Sequence, residues 1–205
     1  MDVDIHDWLP RGSRASAIER RLAAGQALFS QCDCASGVYE VVSGKVRLTR
    51  VDTEGHELLL GIVCLGDTFA EASLFSPIHG FSAVAMSKAI LRLYPKSTLL
   101  AEFARNPLAA RAFAALLARQ VVDLRTRLER HNLHSARDRV RHYLAAGAEG
   151  GTVVLPGTVK DLAGELGLSH EALYRTLSEM EDEGEIARRK GSITLACPRQ
   201  SASPE

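Results

Sequence analysis

The sequence lacks the marks of a membrane protein and of a secreted protein. No run of residues approaches the roughly 18 consecutive apolar side chains that a membrane span needs. Residues 1–5 at the N-terminus are acidic and contain no apolar signal core, so we expect a cytoplasmic protein that does not bind a membrane. Lys plus Arg (25) balance Asp plus Glu (25), and a net charge of zero gives no general attraction to nucleic acid.

The sequence also lacks the features of an active site. No Ser/His/Asp arrangement, Gly-rich phosphate loop or pair of carboxylates with suitable spacing emerges, so we do not expect an enzyme. Hydrophobic residues at 46% and charged residues at 24% are typical of a globular chain. A length of 205 residues suffices for two small domains, or for one domain with a long connecting element.

Cysteine is scarce, with residues at Cys32, Cys34, Cys64 and Cys197. In a reducing compartment four cysteines are not by default a disulfide framework. Cys32 and Cys34 can converge on one ion, and Cys64 would complete a soft-metal site with three thiolates. A reversible disulfide is the second interpretation, and side chains without a role are the third. Cys197 is predicted to be incidental.

Short strands with glycine turns dominate the first hundred residues. Residues 38–51 are rich in β-branched side chains, and Gly44 interrupts the run as a turn would. Residues 82–94 predict a further pair of strands. Another strand is indicated by alternating apolar residues that share one face, namely Leu58, Leu60 and Ile62. This spacing predicts a β-sandwich or barrel over residues 1–100.

The hydrophobic period changes near residue 98 from two to between three and four. Apolar and small residues then step alternately by four and three, as in the seam of a coiled coil. These positions are Ala110, Ala114, Leu117, Val121, Leu124, Leu128 and His131. We predict a helix over residues 101–134 that forms a homodimer through this seam, above all through Leu117, Val121, Leu124 and Leu128. The alternative is a helix that lies on its own β domain.

A compact helical unit is predicted over residues 135–205. Ser135 and Thr158 are candidate N-caps, and Gly167 provides a tight turn before a helix that begins after Ser169. The outward face of this last helix carries side chains that can bond base edges or phosphates in a major groove. They are Ser169, His170, Glu171, Tyr174, Arg175 and Ser178.

A basic hairpin follows that helix. Arg188, Arg189 and Lys190 precede Gly191 and lie between apolar residues of two short predicted strands. The order of helix, glycine turn, arginine-bearing helix and basic hairpin predicts a winged helix-turn-helix that binds double-stranded DNA. The alternative is a generic three-helix packing, and some modules of this kind bind proteins instead.

The three predicted parts, in this order, resemble the CRP/FNR family of bacterial transcription regulators from about Leu22 to Leu195. Residues 37–46 are similar to the first hairpin of the family's β-roll, and residues 66–71 to the turn before its ligand segment. The resemblance implies an α+β protein with a cyclic-nucleotide-binding-like β-roll (jelly roll), a long dimerisation helix and a C-terminal winged helix-turn-helix. It also implies a palindromic operator, a second copy of the chain and RNA polymerase as partners.

The recognition helix of the family is similar to residues 169–175 of this chain. Glu171 and Arg175 match the base-reading Glu and Arg of the family. His170 stands where many members have Arg or Val, and Tyr174 where Ser or Gly is common. These two departures leave the operator sequence open.

The ligand segment departs from that of the family's cyclic-nucleotide binders. They use a Gly-Glu pair and then an Arg before Ser or Thr, which neutralises the cyclic phosphate. This chain has Ala70 and Glu71 at the first pair, and Gly80 or Phe81 at the arginine position before Ser82. A buried phosphate without its cation is costly, so we do not expect cAMP to bind.

The effector therefore stays unidentified at the level of sequence. Cys32, Cys34 and Cys64 are the candidate sensor residues, through a thiolate-bound metal ion or through oxidation, and Glu71 is a candidate effector contact or structural carboxylate. We expect a signal at the β-roll to set operator affinity. The alternative function is a sensory ligand- or metal-binding module that acts through protein contacts rather than through DNA.

Overall fold

The computed structural model describes residues 16–147 and 151–196, so Cys197 lies outside the described residues. The chain divides into two compact units, Met1–Leu124 and Arg125–Glu205. The strands of the first unit are β1 Ile18–Leu22, β2 Ala27–Phe29, β3 Gly37–Ser43, β4 Val46–Val51, β5 Glu57–Val63, β6 Thr68–Phe69, β7 Ser82–Ala85 and β8 Ala89–Pro95. A 3₁₀ helix, Glu71–Leu74, follows β6. Within the described ranges, no helix has the length and apolar character needed to cross a membrane.

Two four-stranded antiparallel sheets build the first unit, in the orders β1-β8-β3-β6 and β2-β7-β4-β5. Side chains from both sheets fill one core, because every second residue of a strand points to the same face. That core includes Leu22, Phe29, Tyr39, Val41, Val46, Phe69 and Leu91. The β-roll predicted from the sequence is confirmed.

The strand pairings differ from those the sequence suggested. β3 and β4 flank Gly44 but lie in different sheets, and so do β7 and β8, which cover the predicted strand pair of residues 82–94. Gly44 turns the chain from one sheet to the other with φ +84, where an added Cβ would lie 2.4 Å from the carbonyl oxygen of Lys88. Hydrophobic alternation located these strands, but it carries no information about which strand lies beside which.

The alternating leucines of β5 form the outer face of the sheet. Leu58 and Leu60 are exposed, whereas Leu59 and Val63 are partly buried on the other face. Leu58 and Leu60, two of the three residues predicted to share a face, are thus both exposed, whereas Ile62 is partly buried. That face does not contribute to the core, because the opposite face of β5 is the one that packs against it, through Val63.

Two helices follow the roll where the sequence predicted one that begins at residue 101. Helix α1, Lys96–Arg105, starts directly after β8, and helix α2, Pro107–Asn132, follows after the extended residue Asn106. Proline suits the first turn of a helix but cannot continue an earlier one, because it lacks an N–H. Both helices contribute to a second core of the first unit, which contains Val38, Leu74, Tyr94, Leu99, Phe113 and Leu116.

The second unit combines three helices with a small sheet. Its elements are α3 Ala136–Gly147, β9 Thr152–Val154, α4 Val159–Leu166, α5 His170–Asp182, β10 Ile186–Arg189 and β11 Ser192–Leu195. The sheet order is β10-β11-β9, with antiparallel pairs throughout. Its core is made of residues such as Val140, Leu144, Leu162, Leu166, Leu173, Leu177 and Ile193. The predicted winged helix-turn-helix is confirmed.

The helix boundaries of this unit follow the predicted capping residues. The amide of Asp138 donates to Ser135 Oγ at 3.0 Å. Thr158 and Asp161 bond each other's backbone amides in a capping box at the start of α4. Gly167 ends α4 in the left-handed region, at φ 62, which a residue without a Cβ adopts most easily.

Candidate nucleic-acid interface

Helix α5 exposes a polar face along its first two turns. Its N-cap is Ser169, whose Oγ accepts a hydrogen bond of 3.1 Å from the amide of Ala172. The opposite face is fully buried in the core of the unit, through Leu173, Leu177 and Met180. Helical periodicity then directs a set of predicted DNA-contacting side chains outward. The exposed ones are Ser169, His170, Glu171, Tyr174 and Arg175.

Arg175 is the exposed cation of this face. Its side chain is 77% exposed and lies 4.0 Å from the carboxylate of Glu179, one turn further along α5. An exposed pair at this distance is weak, so the guanidinium can form the bidentate contact that arginine makes with guanine. Glu171 is exposed in the first turn of the helix. A carboxylate there can accept a hydrogen bond from cytosine.

Arg188 does not extend into solvent as the sequence suggested. Its Nε donates to Glu181 Oε2 at 2.6 Å, its amide donates to Glu181 Oε1 at 3.0 Å, and its Nη2 donates to Ser178 Oγ at 3.3 Å. These bonds hold the pKa of Glu181 below its ordinary value. Arg188 of β10 therefore joins the wing to α5, because Glu181 and Ser178 both belong to that helix.

Tyr174 lies between two other side chains of the predicted interface. Its ring centroid is 5.6 Å from the ring centroid of His170. The guanidinium of Arg188 lies over the Tyr174 ring, with its Cζ 5.6 Å from the ring centroid. Contacts of this kind are individually weak. Together they place a half-exposed tyrosine ring on the outward face of α5.

The tip of the wing carries the remaining cations. Arg189 pairs in register with Ser192 across the hairpin, and Lys190 and Gly191 form the turn. Both Arg189 and Lys190 are exposed. They are the wing residues with side chains in a position to meet a phosphate.

The three cysteines of the roll do not come together. Cys32 follows β2 and Cys64 follows β5, and these strands are the opposite edges of one sheet. In residues 16–147 and 151–196, no group of three His, Cys, Asp or Glu side chains is arranged to hold a metal ion. Sequence spacing could not reveal this separation, since it depends on strand order.

The thiols also differ in their surroundings. Cys32 and Cys34 are exposed free cysteines. Cys64 is partly buried, and both its burial and the nearby carboxylate of Asp67 raise the pKa of its thiol above the ordinary value. A thiol with a raised pKa is a poor nucleophile and a poor metal ligand at neutral pH.

Glu71 carries a buried carboxylate in the first unit. It is 7% exposed. The hydroxyl of Thr68 donates to Glu71 Oε1 at 2.6 Å, and Nε2 of Gln120 donates to the same oxygen at 2.8 Å. The carboxylate therefore ties the 3₁₀ helix to α2. Gln120 gave no signal in the sequence, because one polar residue on a long helix is not unusual.

His79 is a buried polar residue beside the same 3₁₀ helix. Its exposure is 0%. The ring stacks on Phe29 with 3.6 Å between centroids, and Nδ1 shares a hydrogen bond of 2.9 Å with Ser73 Oγ. Burial lowers the pKa of His79 below its ordinary value, so the ring is neutral at neutral pH.

Gly80, Phe81 and Ser82 are the residues that the family resemblance matches to the phosphate-binding segment of the cyclic-nucleotide binders. Gly80 is exposed and has no side chain to offer, and Phe81 packs against the core. The hydroxyl of Ser82 accepts a hydrogen bond of 2.9 Å from the amide of Gln31. Residues 79–82 thus bring no permanently charged cation to this segment.

Two family models match the sequence. A model described as a cyclic nucleotide-binding domain matches residues 19–106. A model described as a Crp-like helix-turn-helix domain matches residues 138–200. The first match covers the roll and α1, and the second covers α4, α5 and the wing.

Curated relatives are similar over most of the chain. A Thermus thermophilus protein named cyclic AMP receptor protein is 33% identical over 183 residues, which are 88% of this chain and 85% of that protein. A Bradyrhizobium diazoefficiens protein named nitrogen fixation regulation protein FixK is 28% identical over 184 residues, which are 86% of this chain and 77% of that protein.

Solved structures share the fold. FixK2 from Bradyrhizobium japonicum has a TM-score of 0.76 at 24% identity, with 88% of this chain and 93% of that chain covered. The Thermus thermophilus catabolite activator protein has a TM-score of 0.54 at 28% identity, with 94% and 93% covered.

Proposed function

Because the chain belongs to the CRP/FNR family of bacterial transcription regulators, we propose that it is a homodimer that binds a palindromic DNA operator in the cytoplasm. Members of this family regulate transcription and are not enzymes. The observation that carries the proposal is the outward face of α5, where Glu171 and Arg175 are exposed beside a basic wing tip. An effect on RNA polymerase would follow operator binding.

The apolar face of α2 supports the dimer. Leu117 packs partly against the second core of the roll, whereas Val121, Leu124 and Leu128 are exposed large hydrophobic side chains. Their spacing of three and four residues places them along one side of the helix. A second copy of α2 would cover them. A two-fold dimer then places two copies of α5 about one DNA turn apart, as a palindrome requires.

The two kinds of contact have different tasks in this proposal. Exposed side chains of α5 select the bases, since the edges of base pairs in the major groove differ in their donors and acceptors. Arg189 and Lys190 at the wing tip bind phosphates and so add affinity without sequence preference. Arg188 holds the wing in place for both.

Arg189→Ala is expected to weaken binding to all DNA sequences alike. The change removes one phosphate contact per half-site. The slope of the logarithm of the binding constant against the logarithm of the salt concentration is negative, and its magnitude should decrease by about one for each half-site. The measurement is fluorescence anisotropy with operator and random DNA between low and moderate salt. Arg111→Ala, on an exposed residue of α2, controls for the lost charge. An unchanged salt slope would remove the wing tip from the interface.

We propose that the signal is not a cyclic nucleotide and acts through the exposed thiols Cys32 and Cys34. Backbone bonds link their loop to the segment that leads to His79, from the Cys32 amide to the His79 carbonyl (2.8 Å) and from the His79 amide to the Asp33 carbonyl (2.8 Å). His79 bonds Ser73 on the 3₁₀ helix. In this proposal, oxidation or metal binding at the thiols shifts the 3₁₀ helix that carries Glu71. The hydrogen bond between Glu71 and Gln120 then transmits this shift to α2.

A Cys32→Ser/Cys34→Ser variant is expected to lose the response of operator affinity to oxidant, zinc, copper(I) or arsenite. Coupling between distant sites typically changes affinity by about 5- to 150-fold, and the variant should reduce this change to none. cAMP should change the affinity of neither protein. The measurement is operator binding by parent and variant under each condition, with Cys64→Ser as the matched control. Identical responses of parent and double variant would exclude these thiols as the sensor.

A further inference from the structure

The guanidinium of Arg139 connects three separate parts of the second unit. Arg139 lies in the first turn of α3. Its Nε donates to the carbonyl oxygen of Leu133, in the linker after α2, at 2.8 Å. Its Nη1 donates to the carbonyl oxygens of Leu166 and Gly167, at the end of α4, at 3.2 and 3.1 Å. One side chain therefore bonds the linker and the turn of the helix-turn-helix.

The carbonyl groups at the end of α4 need such a partner. The last carbonyls of a helix have no amide partner within it, and they carry the negative end of the helix dipole. A guanidinium can donate hydrogen bonds to these carbonyls through its several N–H groups, and its positive charge is attracted to the negative end of the dipole. Arg139 is thus bound by geometry and by charge to the turn that precedes the recognition helix.

The last turn of α2 reaches the same place from the other side. Arg130 is 5% exposed. Its Nη1 lies 3.5 Å from Glu165 Oε1 on α4, and its Cζ lies 4.8 Å from the ring centre of Tyr143 on α3. His131 lies so close to Gly167 that a Cβ on that glycine would be 2.7 Å from Nδ1. The end of α2 therefore packs directly on α4 and its turn.

We propose that Arg139, with Arg130, is a positioning residue that fixes the recognition helix to the end of α2. The inference rests on the proposed DNA-binding function. Neither arginine belongs to the outward face of α5, and the proposal assigns them an indirect effect on DNA binding. In a dimer, this joint would set how far apart the two recognition helices lie and therefore which spacing of half-sites fits best. The property under test is the tolerance of the protein to altered spacing.

The test uses the full-length protein and four DNAs. These are the operator obtained by selection, the same operator with one base pair added or removed between the half-sites, and a single half-site. One base pair rotates a half-site by about 35° around the DNA axis. The variants are Arg139→Gln and the milder Arg139→Lys. The matched control is Arg141→Gln on the same helix, since Arg141 pairs with Glu185, which Arg137 also holds.

The parent and Arg141→Gln should prefer the selected spacing by ~10-fold or more, comparable to the cost of about one mismatched base pair. In Arg139→Gln this preference for spacing should be less than ~3-fold. The affinity for the selected operator should decrease by ~10-fold, because charge-assisted hydrogen bonds are lost. Affinity for the single half-site should stay within ~2-fold of the parent, since the side chains of α5 are intact. Arg139→Lys should lie between the two.

Two outcomes would overturn the proposal. The first is an Arg139→Gln protein with the parent's preference for spacing. The second is an equal loss of affinity for the single half-site, which would mean that the arginine only supports the folding of the unit. If circular dichroism shows that Arg139→Gln is unfolded, Arg139→Lys decides between the same outcomes. A parent protein that binds none of the four DNAs would instead overturn the proposed function.

Discussion

Leu124→Asp is expected to convert the protein to a monomer and to abolish tight operator binding. Leu124 is 57% exposed in the single chain and lies between Val121 and Leu128 along one side of α2. In the proposed dimer two copies of this residue face each other. The substitution would bury two like charges in an apolar seam, which costs several kcal/mol for each unpaired charge. A stable coiled-coil contact does not tolerate such a change at its centre.

The measurement is molar mass by light scattering, together with operator affinity. The expected mass is that of one chain, and affinity should fall to that of one recognition helix on one half-site. Val122→Asp places the same charge on the neighbouring exposed residue, outside the predicted seam, and should leave a dimer. A Leu124→Asp protein that keeps the parent's mass would show that α2 does not form the interface as proposed.

Arg175→Ala should cost about 1–3 kcal/mol per half-site and relax base preference at one position in each half. The guanidinium is the exposed cation of α5, and its fork matches the two acceptors of guanine. Arg175→Lys should keep part of the affinity and lose most of the preference, because an ammonium cannot make the paired contact. Both changes leave the buried face of α5 untouched.

The base preference is measured by competition among operators that differ at single base pairs. Glu179→Gln is the matched control, since it removes the partner of Arg175 at 4.0 Å but leaves the guanidinium in place. It should bind at least as well as the parent. Unaltered affinity and base preference in Arg175→Ala would show that α5 is not the helix that selects the DNA sequence.

Local signals in the sequence were sufficient for most of the elements. Ser135, Thr158, Ser169 and Gly167 act as the caps and turn that their residue types predict, because capping depends on a few neighbouring atoms. The alternation of β-branched residues located strands, because this pattern too involves only residues that are close in the sequence. Strand partners were not predictable in this way. Gly44 joins two sheets, and nothing in the periodicity distinguishes such a corner from a hairpin.

The candidate site shows the same division. Glu171 and Arg175 lie on the exposed face of α5, where helical spacing put them. Arg188 was predicted as a wing cation, but Glu181 holds it against α5, and this partner is seven residues away on another element. The predicted group of Cys32, Cys34 and Cys64 requires three neighbouring thiols, whereas strand order places Cys64 after the edge strand opposite the one that Cys32 follows. The sequence predicts which side chains are candidates for contacting DNA or an effector. Contacts in the tertiary structure decide which of these side chains are already engaged within the protein.

The most direct test of the central claim is selection of random-sequence DNA by the purified full-length protein. The account predicts enrichment of a two-fold symmetric motif, with half-sites centred about one helical turn apart. It also predicts that affinity for this motif exceeds that for random DNA by about 10³-fold or more at physiological salt. Recovery of no motif would contradict DNA recognition by α5, and recovery of a single unpaired half-site would contradict the dimer.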